Sequence, residues 1–500
     1  MYEQNHLIAR LRAASLGQDD RVFAESPGCA PISFGALFAG AECMAAALQT
    51  LGVEPGDRVA VQVEKTIEAI QLYLGTVMAG GVFLPLNTAY TTPEVAYFLG
   101  DATPRVVVCD PAREADIAGI TGDAKVMTLD ANGSGSMADA ASAQTGFLPV
   151  ARAADDLAAI LYTSGTTGRS KGAMLSHDNL SSNSETLRDT WRFTDRDVLI
   201  HALPIFHTHG LFVATNVALL AGASVVFLAK FDADAILEAM PRATSLMGVP
   251  TFYTRLLDDP RLDRTRAANM RLFISGSAPL LVDTHEKWEA RTGHRILERY
   301  GMTETNMSTS NPYEGERRAG TVGFPLPRVE ARIRLKGEEV AQGEIGVLEV
   351  RGPNVFQGYW QMPEKTAEEL LPDGWFITGD LAKMDADGYV TIVGRDKDLV
   401  ITGGFNVYPK EVESLIDDLP GIKESAVIGV PHPDFGEAVV AVVVPEGDAP
   451  APEAITEPLA AQLAKFKQPK SVIFLSELPR NTMGKVQKKA LRETYANLFQ

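Results

Sequence analysis

Up to about residue 330, apolar positions alternate between two rhythms. Ser33 can cap a helix whose stripe is Leu37, Phe38, Met44 and Leu48, and Gly52 closes it. Positions 59–63 then form a short apolar-rich run with the length of a buried strand. A second helical stripe over Ile67–Met78 leads to strand-like runs at 82–86 and Val106–Cys109. The alternation continues through 198–203, 224–228, 246–249 and Leu272–Ser275. This βαβ grammar predicts one or two doubly wound sheets with ligands at strand carboxyl ends. Residues 211–228 carry no formal charge, but Thr215, Asn216 and Ser224 interrupt them and Ala221-Gly222-Ala223 reads as a turn. A buried helix followed by the strand 225–228 is expected there, not a membrane span.

From residue 331 the runs shorten to 331–335, 346–350 and 389–393, with turns at Lys336-Gly337 and Asp387-Gly388, which predicts a small antiparallel sheet or barrel. A charged stretch, Gly394-Arg395-Asp396-Lys397-Asp398, precedes a tail with its own apolar set. Val412 and Ile416 fit a helix, 427–430 and 439–444 fit strands, Leu459, Leu463 and Phe466 fit a second helix, and 445–452 an exposed loop. The predicted architecture is α/β: a large N-terminal domain, 1–394, of doubly wound sheets plus a β-barrel-like part, then 395–398, then a small α+β C-terminal domain, 399–500. No internal repeats are present.

Composition narrows the possibilities by exclusion. The 500 residues are 45% hydrophobic and 22% charged, with 43 Gly and 29 Pro, so disorder, collagen and disulfide scaffolds are excluded. A net charge of −18 repels nucleic-acid backbones and anionic lipid, so neither is an expected partner. Cys29, Cys43 and Cys109 lack metal-ligand or disulfide spacing, and the N-terminus lacks an apolar segment with a cleavage site, so a reducing, cytoplasmic setting is expected.

The chemistry begins at Tyr162-Thr163-Ser164-Gly165-Thr166-Thr167-Gly168-Arg169-Ser170-Lys171-Gly172, behind the apolar strand 157–161. Its glycines free the backbone to turn N–H groups toward an anion, and its hydroxyls and lysine add donors, the pattern of a loop around a polyphosphate. A Walker loop needs Lys followed by Ser or Thr, and Lys171 is followed by Gly172, so a P-loop kinase or ATPase is not expected. The segment resembles the phosphate loop of the adenylate-forming superfamily, which includes acyl-CoA synthetases, luciferases and the adenylation domains of peptide synthetases. Further motifs of that family follow in order: Tyr300-Gly301-Met302-Thr303-Glu304-Thr305, Thr378-Gly379-Asp380, Gly394 to Asp398, Thr402-Gly403-Gly404-Phe405 and Pro479 to Lys485.

The resemblance implies ATP, Mg²⁺ and coenzyme A, and distributes the roles. Thr163, Ser164, Gly165, Thr166, Thr167, Gly168 and Lys171 would hold the phosphates, and Glu304 with Thr163 would position the metal. Asp380 and Arg395 would hold the ribose. Ser277, Ala278 and Pro279, with Tyr300, Gly301, Met302 and Thr303, would line the nucleotide. Lys485 would bridge the carboxylate and the α-phosphate. The resemblance makes the C-terminal domain mobile about Lys397 and places Gly403 and Gly404 beside the path of the CoA thiol. The context of Lys485 is similar to that of acetylated lysines in bacterial acyl-CoA synthetases, which implies an acetyltransferase and a deacetylase as partners. Read from the residues alone, Asp380 also fits a turn, Glu304 a helix cap, and Lys485 a solvated charge beside Lys488 and Lys489.

The acid is suggested by Glu298-Arg299 directly before Tyr300. An arginine beside an acyl pocket is costly to desolvate unless a second anion pairs with it, and a free carboxylate on the substrate would do so bidentately. The segment 298–304, with 205–210 and 318–323, looks similar to the malonyl-CoA synthetase subgroup, which implies malonate, with methylmalonate as a slower substrate. Arg299 also fits a strand end paired with Glu298 or Glu304, Arg255 is a rival carboxylate partner, and His207 fits a substrate contact, with Ser277, or a core position. Another short-chain or aryl acid, or loading of a carrier protein, is the alternative outcome.

Overall fold

The computed structural model describes residues 2–163, 170–402, 405–460, 462–481 and 484–499. Its first sheet has six strands, in spatial order Lys125–Thr128, Val106–Cys109, Arg58–Gln62, Val82–Pro85, Leu157–Thr163 and Lys171–Ser176. All neighbours run parallel except the last pair. Leu157–Thr163 and Lys171–Ser176 form an antiparallel hairpin with Thr163 opposite Lys171. The two described ends of the segment read as a phosphate loop, Tyr162-Thr163 and Lys171-Gly172, therefore pair with each other at the sheet edge. Ser164, Gly165, Thr166, Thr167 and Gly168 lie outside the described residues.

The second sheet has nine strands around a parallel centre of Leu272–Ser275, Ser245–Gly248, Val198–His201 and Ser224–Phe227. Leu297–Met302 continues it in parallel, and Asn306–Ser310 folds back antiparallel. The helix Phe34–Thr50 starts where Ser33 accepts a hydrogen bond from the Ala36 N–H. The uncharged stretch forms a helical segment ending at Ala221, with Gly222 left-handed, and then the strand Ser224–Phe227. No helix among the described residues is long and apolar enough to cross a membrane.

The turn-rich region forms five antiparallel strands in the order Glu338–Glu339, Glu330–Leu335, Gly346–Arg351, Phe376–Met384, Val390–Arg395, so of sheet and barrel it is an open sheet. Beyond residue 399 the long hairpin Ile422–His432 with Gly436–Pro445 has both faces covered. Val427, Val439, Ala441 and Val443 pack with Val412, Ile416 and Leu459 on one face, and Ala426, Ile428, Val440 and Val442 pack with Leu478 and Leu491 on the other. The second helix of this tail is Glu453–Ala460, so Leu463 and Phe466 pack from beyond its end.

One glycine decides how the nine-stranded sheet ends. A Cβ on Gly301 would stand 1.8 Å from the Asn306 carbonyl oxygen, so only glycine lets the strands Leu297–Met302 and Asn306–Ser310 close around Thr303, Glu304 and Thr305. Gly301→Ala is expected to lower stability by about 1–3 kcal/mol or more. Thermal unfolding reads this directly, and an unchanged midpoint would contradict it.

Candidate active site

The hairpin just described puts Glu304 in a tight turn between strands, which removes the helix-cap reading. Its carboxylate is 4% exposed, and the Tyr359 hydroxyl stands 3.0 Å from Oε1. Burial raises its pKa against the opposing effects of a backbone N–H, Tyr359, Lys171 and Arg395. Lys171 lies over the Tyr359 ring, 4.0 Å from its centroid, so Thr163, Lys171, Tyr359 and Glu304 form one continuous chain of contacts. Tyr97 steadies the end of the loop by donating to the Ser170 carbonyl at 2.8 Å.

Asp380 and Arg395 face each other across the strands Phe376–Met384 and Val390–Arg395, with Arg395 Nε 2.8 Å from Asp380 Oδ1. The Tyr300 hydroxyl donates to Asp380 Oδ2 at 2.5 Å, and burial with the Asp380 charge pushes that phenol well up, so it stays a donor. Asp380 is thus a buried strand residue, not a turn residue. Gly301, Met302 and Thr303 lie half-buried beside Tyr300.

The acyl end is built on Arg299. Alternation along Leu297–Met302 sends the neighbouring Glu298 the other way, where Oε1 lies 3.4 Å from His285 Nδ1 and accepts from the Gly320 N–H at 3.2 Å. Arg299 itself is 3% exposed, and its Nε and Nη2 have no hydrogen-bond partner among the described residues. A Cβ on Gly276 would fall 2.4 Å from the Arg299 Cζ, so the guanidinium rests on the bare backbone of that glycine. Burial pushes Arg299 down to about 9, with only Tyr253 opposing. Neither Glu298 nor Glu304 neutralises it.

Two histidines border this cation. Burial, together with the charges of Lys485 and Arg299, pushes His207 down to about 3, which keeps the ring neutral. His209 is lowered well below its ordinary value by burial and Arg299, and its Nδ1 stands 3.3 Å from Ser277 Oγ. Ser277 has a left-handed backbone at φ 70°, a strained conformation at the carboxyl end of Leu272–Ser275. Ala278 follows half-buried and Pro279 is exposed.

Lys485 arrives from the C-terminal tail on a tight turn, in which its N–H donates to Asn481 Oδ1 at 3.0 Å. A Cβ on the preceding Gly484 would stand 3.6 Å from Thr251 Oγ1, so this turn packs on the helix Pro250–Leu257 of the larger part of the chain. Burial lowers Lys485, Arg395 lowers it further, and Asp380 and Glu304 pull the other way. Lys485 is half-buried on this turn, with Arg395, Asp380, Glu304 and Arg299 the charges that act on it. Lys397 is pushed down to about 8 by burial and Arg395. Gly403 and Gly404 lie outside the described residues.

One expectation is corrected. Arg255 is exposed and lies over the Phe231 ring at 5.5 Å, because Phe252, Tyr253 and Leu256 take the buried side of its helix. It is not a partner for a buried carboxylate. Sequence reasoning also missed Gly276, His209 and Tyr359; Gly276 directly precedes Ser277, and His209 lies inside 205–210.

The chain belongs to the AMP-binding enzyme family, matched over residues 11–360, and residues 411–485 match the AMP-binding enzyme C-terminal domain. The whole fold is similar to ATP-bound MatB from Rhodopseudomonas palustris, with a TM-score of 0.97 and 60% identity covering 99% of this chain and 100% of that one. It is 35% identical over 479 residues to a malonate–CoA ligase of Arabidopsis thaliana, covering 88% of this chain and 78% of the relative. It is also 37% identical over 459 residues to a feruloyl-CoA synthase of an Amycolatopsis species, covering 90% and 91%.

Five histidines, His177, His201, His207, His209 and His294, are held below their ordinary pKa chiefly by burial. His177 and His207 fall to about 3. The unfolded chain takes up protons on these rings below about pH 6.5 whereas the folded chain does not. Stability present above that pH is therefore expected to drain away as pH falls toward 3. Denaturant unfolding at pH 7 and pH 4.5 checks the sign, which equal stability at the two values would refute.

Proposed function

We propose that this protein joins malonate to coenzyme A in two steps, through malonyl-AMP, at the expense of ATP. The observation behind the choice of acid is Arg299, 3% exposed, whose Nε and Nη2 have no partner among the described residues. Desolvating a cation costs several kcal/mol unless an anion meets it, and an acid with a second carboxylate supplies that anion. Among the curated relatives the malonate and feruloyl enzymes score alike, but a feruloyl tail has no charge for Arg299. The similarity to MatB and to malonate ligases supports the same reading.

The first step needs the reacting carboxylate set in line with the α-phosphorus, with charge on the phosphoryl oxygens offset. Lys485 would supply a cation at that point, Lys171 and Thr163 would meet the β- and γ-phosphates, and Asp380 would accept from the ribose hydroxyls while Arg395 donates to them. The α-phosphorus–oxygen bond to pyrophosphate breaks as the carboxylate–phosphorus bond forms. Glu304 and Thr163 fit Mg²⁺: one buried carboxylate and one hydroxyl suit an ion that fills its shell with phosphate oxygens and water. When bound, the ion supplies charge neutralisation on the departing phosphates. Among the described residues no cluster of three or more His, Cys, Asp or Glu forms an all-protein cage.

In the second step the CoA thiol attacks the acyl carbonyl and AMP leaves. Residues 399–500 would turn about Lys397 to expose Gly403 and Gly404 to the thiol's path. Arg492 Nη1 holds Asp398 Oδ1 at 2.8 Å, which ties residue 398 to the tail and leaves the pivot at 395–397. Acetylation of Lys485 would delete the charge needed in the first step.

Two measurements test this. Arg299→Leu should lower kcat/KM for malonate in pyrophosphate release by roughly hundreds- to thousands-fold, the equivalent of about 3–5 kcal/mol, while sparing butyrate. Equal losses for both acids would remove the dicarboxylate argument. Lys485→Ala should abolish adenylate formation yet leave thioester formation from supplied malonyl-AMP largely intact, and parallel loss of both steps would overturn its assignment.

A further inference from the structure

Lys171 has a carboxylate partner for which the reaction has no evident use. Its Nζ stands 3.1 Å from Glu369 Oε2 and 3.3 Å from Oε1, across 198 positions of sequence. The contact is fixed by the backbone on both sides. The Trp360 N–H donates to the Gly172 carbonyl at 2.7 Å, the Met174 N–H donates to the Gly358 carbonyl at 3.0 Å, and Tyr359 bridges antiparallel to Ala173. Tyr359 therefore lies under Lys171, and its hydroxyl reaches Glu369 Oε2 at 2.5 Å.

Glu369 is the last residue of the helix Pro363–Glu369, where the carbonyl end of the helix disfavours an anion. Cations offset this: Lys365 Nζ stands 2.9 Å from Oε1, and Lys171 takes the other side. Burial alone would raise its pKa, but Tyr359, Lys365 and Lys171 together hold it below the ordinary value. Removing Lys171 would still leave Glu369 bonded to Tyr359 and Lys365. The lysine is thus free to change partners without stranding the carboxylate.

We propose that Glu369 is an internal stand-in for the triphosphate: it holds Lys171 until nucleotide arrives, yields it to the β- and γ-phosphates, and reclaims it as pyrophosphate leaves. This rests on the reading of Lys171 as a phosphate ligand. Glu369 is then a positioning residue that weakens ATP and pyrophosphate binding by competition and leaves ligands without those phosphates untouched.

The test is calorimetric titration of the full chain with ATP, pyrophosphate and AMP. In Glu369→Gln the Kd for ATP and for pyrophosphate should fall on the order of 3- to 10-fold, the range of a partly exposed ion pair, with AMP unchanged. The KM for ATP should fall in parallel, and pyrophosphate should become a stronger product inhibitor. In a Lys171→Met background the same substitution should change none of these. Glu369→Asp, which withdraws the carboxylate from Lys171 by one methylene, should shift ATP in the same direction and serves if the glutamine variant misfolds. Unchanged or weaker ATP binding in both variants, an equal shift for AMP, or a gain that persists without Lys171 would overturn the proposal. Failure of the unaltered chain to bind ATP would overturn the phosphate reading along with it, whereas the choice of acid is decided separately by the malonate and butyrate comparison.

Discussion

The constraint on which this site depends is a buried guanidinium with no carboxylate partner among the described residues. Arg299 rests against the backbone of Gly276, and strand alternation turns the adjacent Glu298 toward His285 and Gly320 instead. The neighbouring rings supply no anion, and burial together with the arginine itself holds His207 and His209 neutral, so they add no second positive charge. A cation so placed costs stability in the empty protein, and only an incoming anion restores it. Under the proposed reading, that unmet charge is what selects an acid with a second carboxylate.

The nucleotide side is arranged on the opposite plan. Asp380 already has Arg395 and Tyr300, Glu304 has Tyr359, and Lys171 has Glu369. These groups already have partners, so under the proposed roles ATP must exchange partners there and not merely fill a vacancy. On that reading the acyl side favours its ligand by relief of a buried charge, and the nucleotide side tempers its ligand by competition. A product that has to leave, pyrophosphate, is better served by the second plan.

Much of this was legible in the sequence because the relevant residues sit in short local patterns. The alternating rhythm placed most of the parallel strands to within two residues but passed over Val22–Glu25, Lys125–Thr128 and Leu297–Met302, and Glu304, Asp380, Arg395 and Lys485 stand out by the residues around them. Contacts between distant segments were not legible. Nothing near Tyr359 or Glu369 announces that they meet Lys171, since that depends on the segment 357–360 pairing with an edge strand almost two hundred residues away. The hairpin carrying the phosphate loop was hidden for a similar reason: Lys171–Ser176 is too mixed in polarity to read as a strand until its partner is known. Arg255 is the instructive contrast with Arg299. Both precede or follow apolar and aromatic residues, but Phe252, Tyr253 and Leu256 already define the inner side of a helix, and that spacing puts Arg255 outside.

The electrostatics also bear on when the C-terminal tail should close. Lys485 enters a region where Arg395 and Arg299 disfavour its charge, while Asp380 and Glu304 favour it, and burial penalises it throughout. Without ligands the closed arrangement therefore brings an ammonium toward two guanidiniums. A dicarboxylate that neutralises Arg299, together with a triphosphate between Lys485 and Arg395, turns each of those repulsions into a shared attraction for substrate. Under the proposed two-step mechanism, closure then becomes favourable chiefly when both substrates are present, which limits wasteful hydrolysis of ATP without any additional sensor. Loss of pyrophosphate removes most of that negative charge and restores the repulsion, so the same groups that favour closure for the first step favour departure of Lys485 before the second.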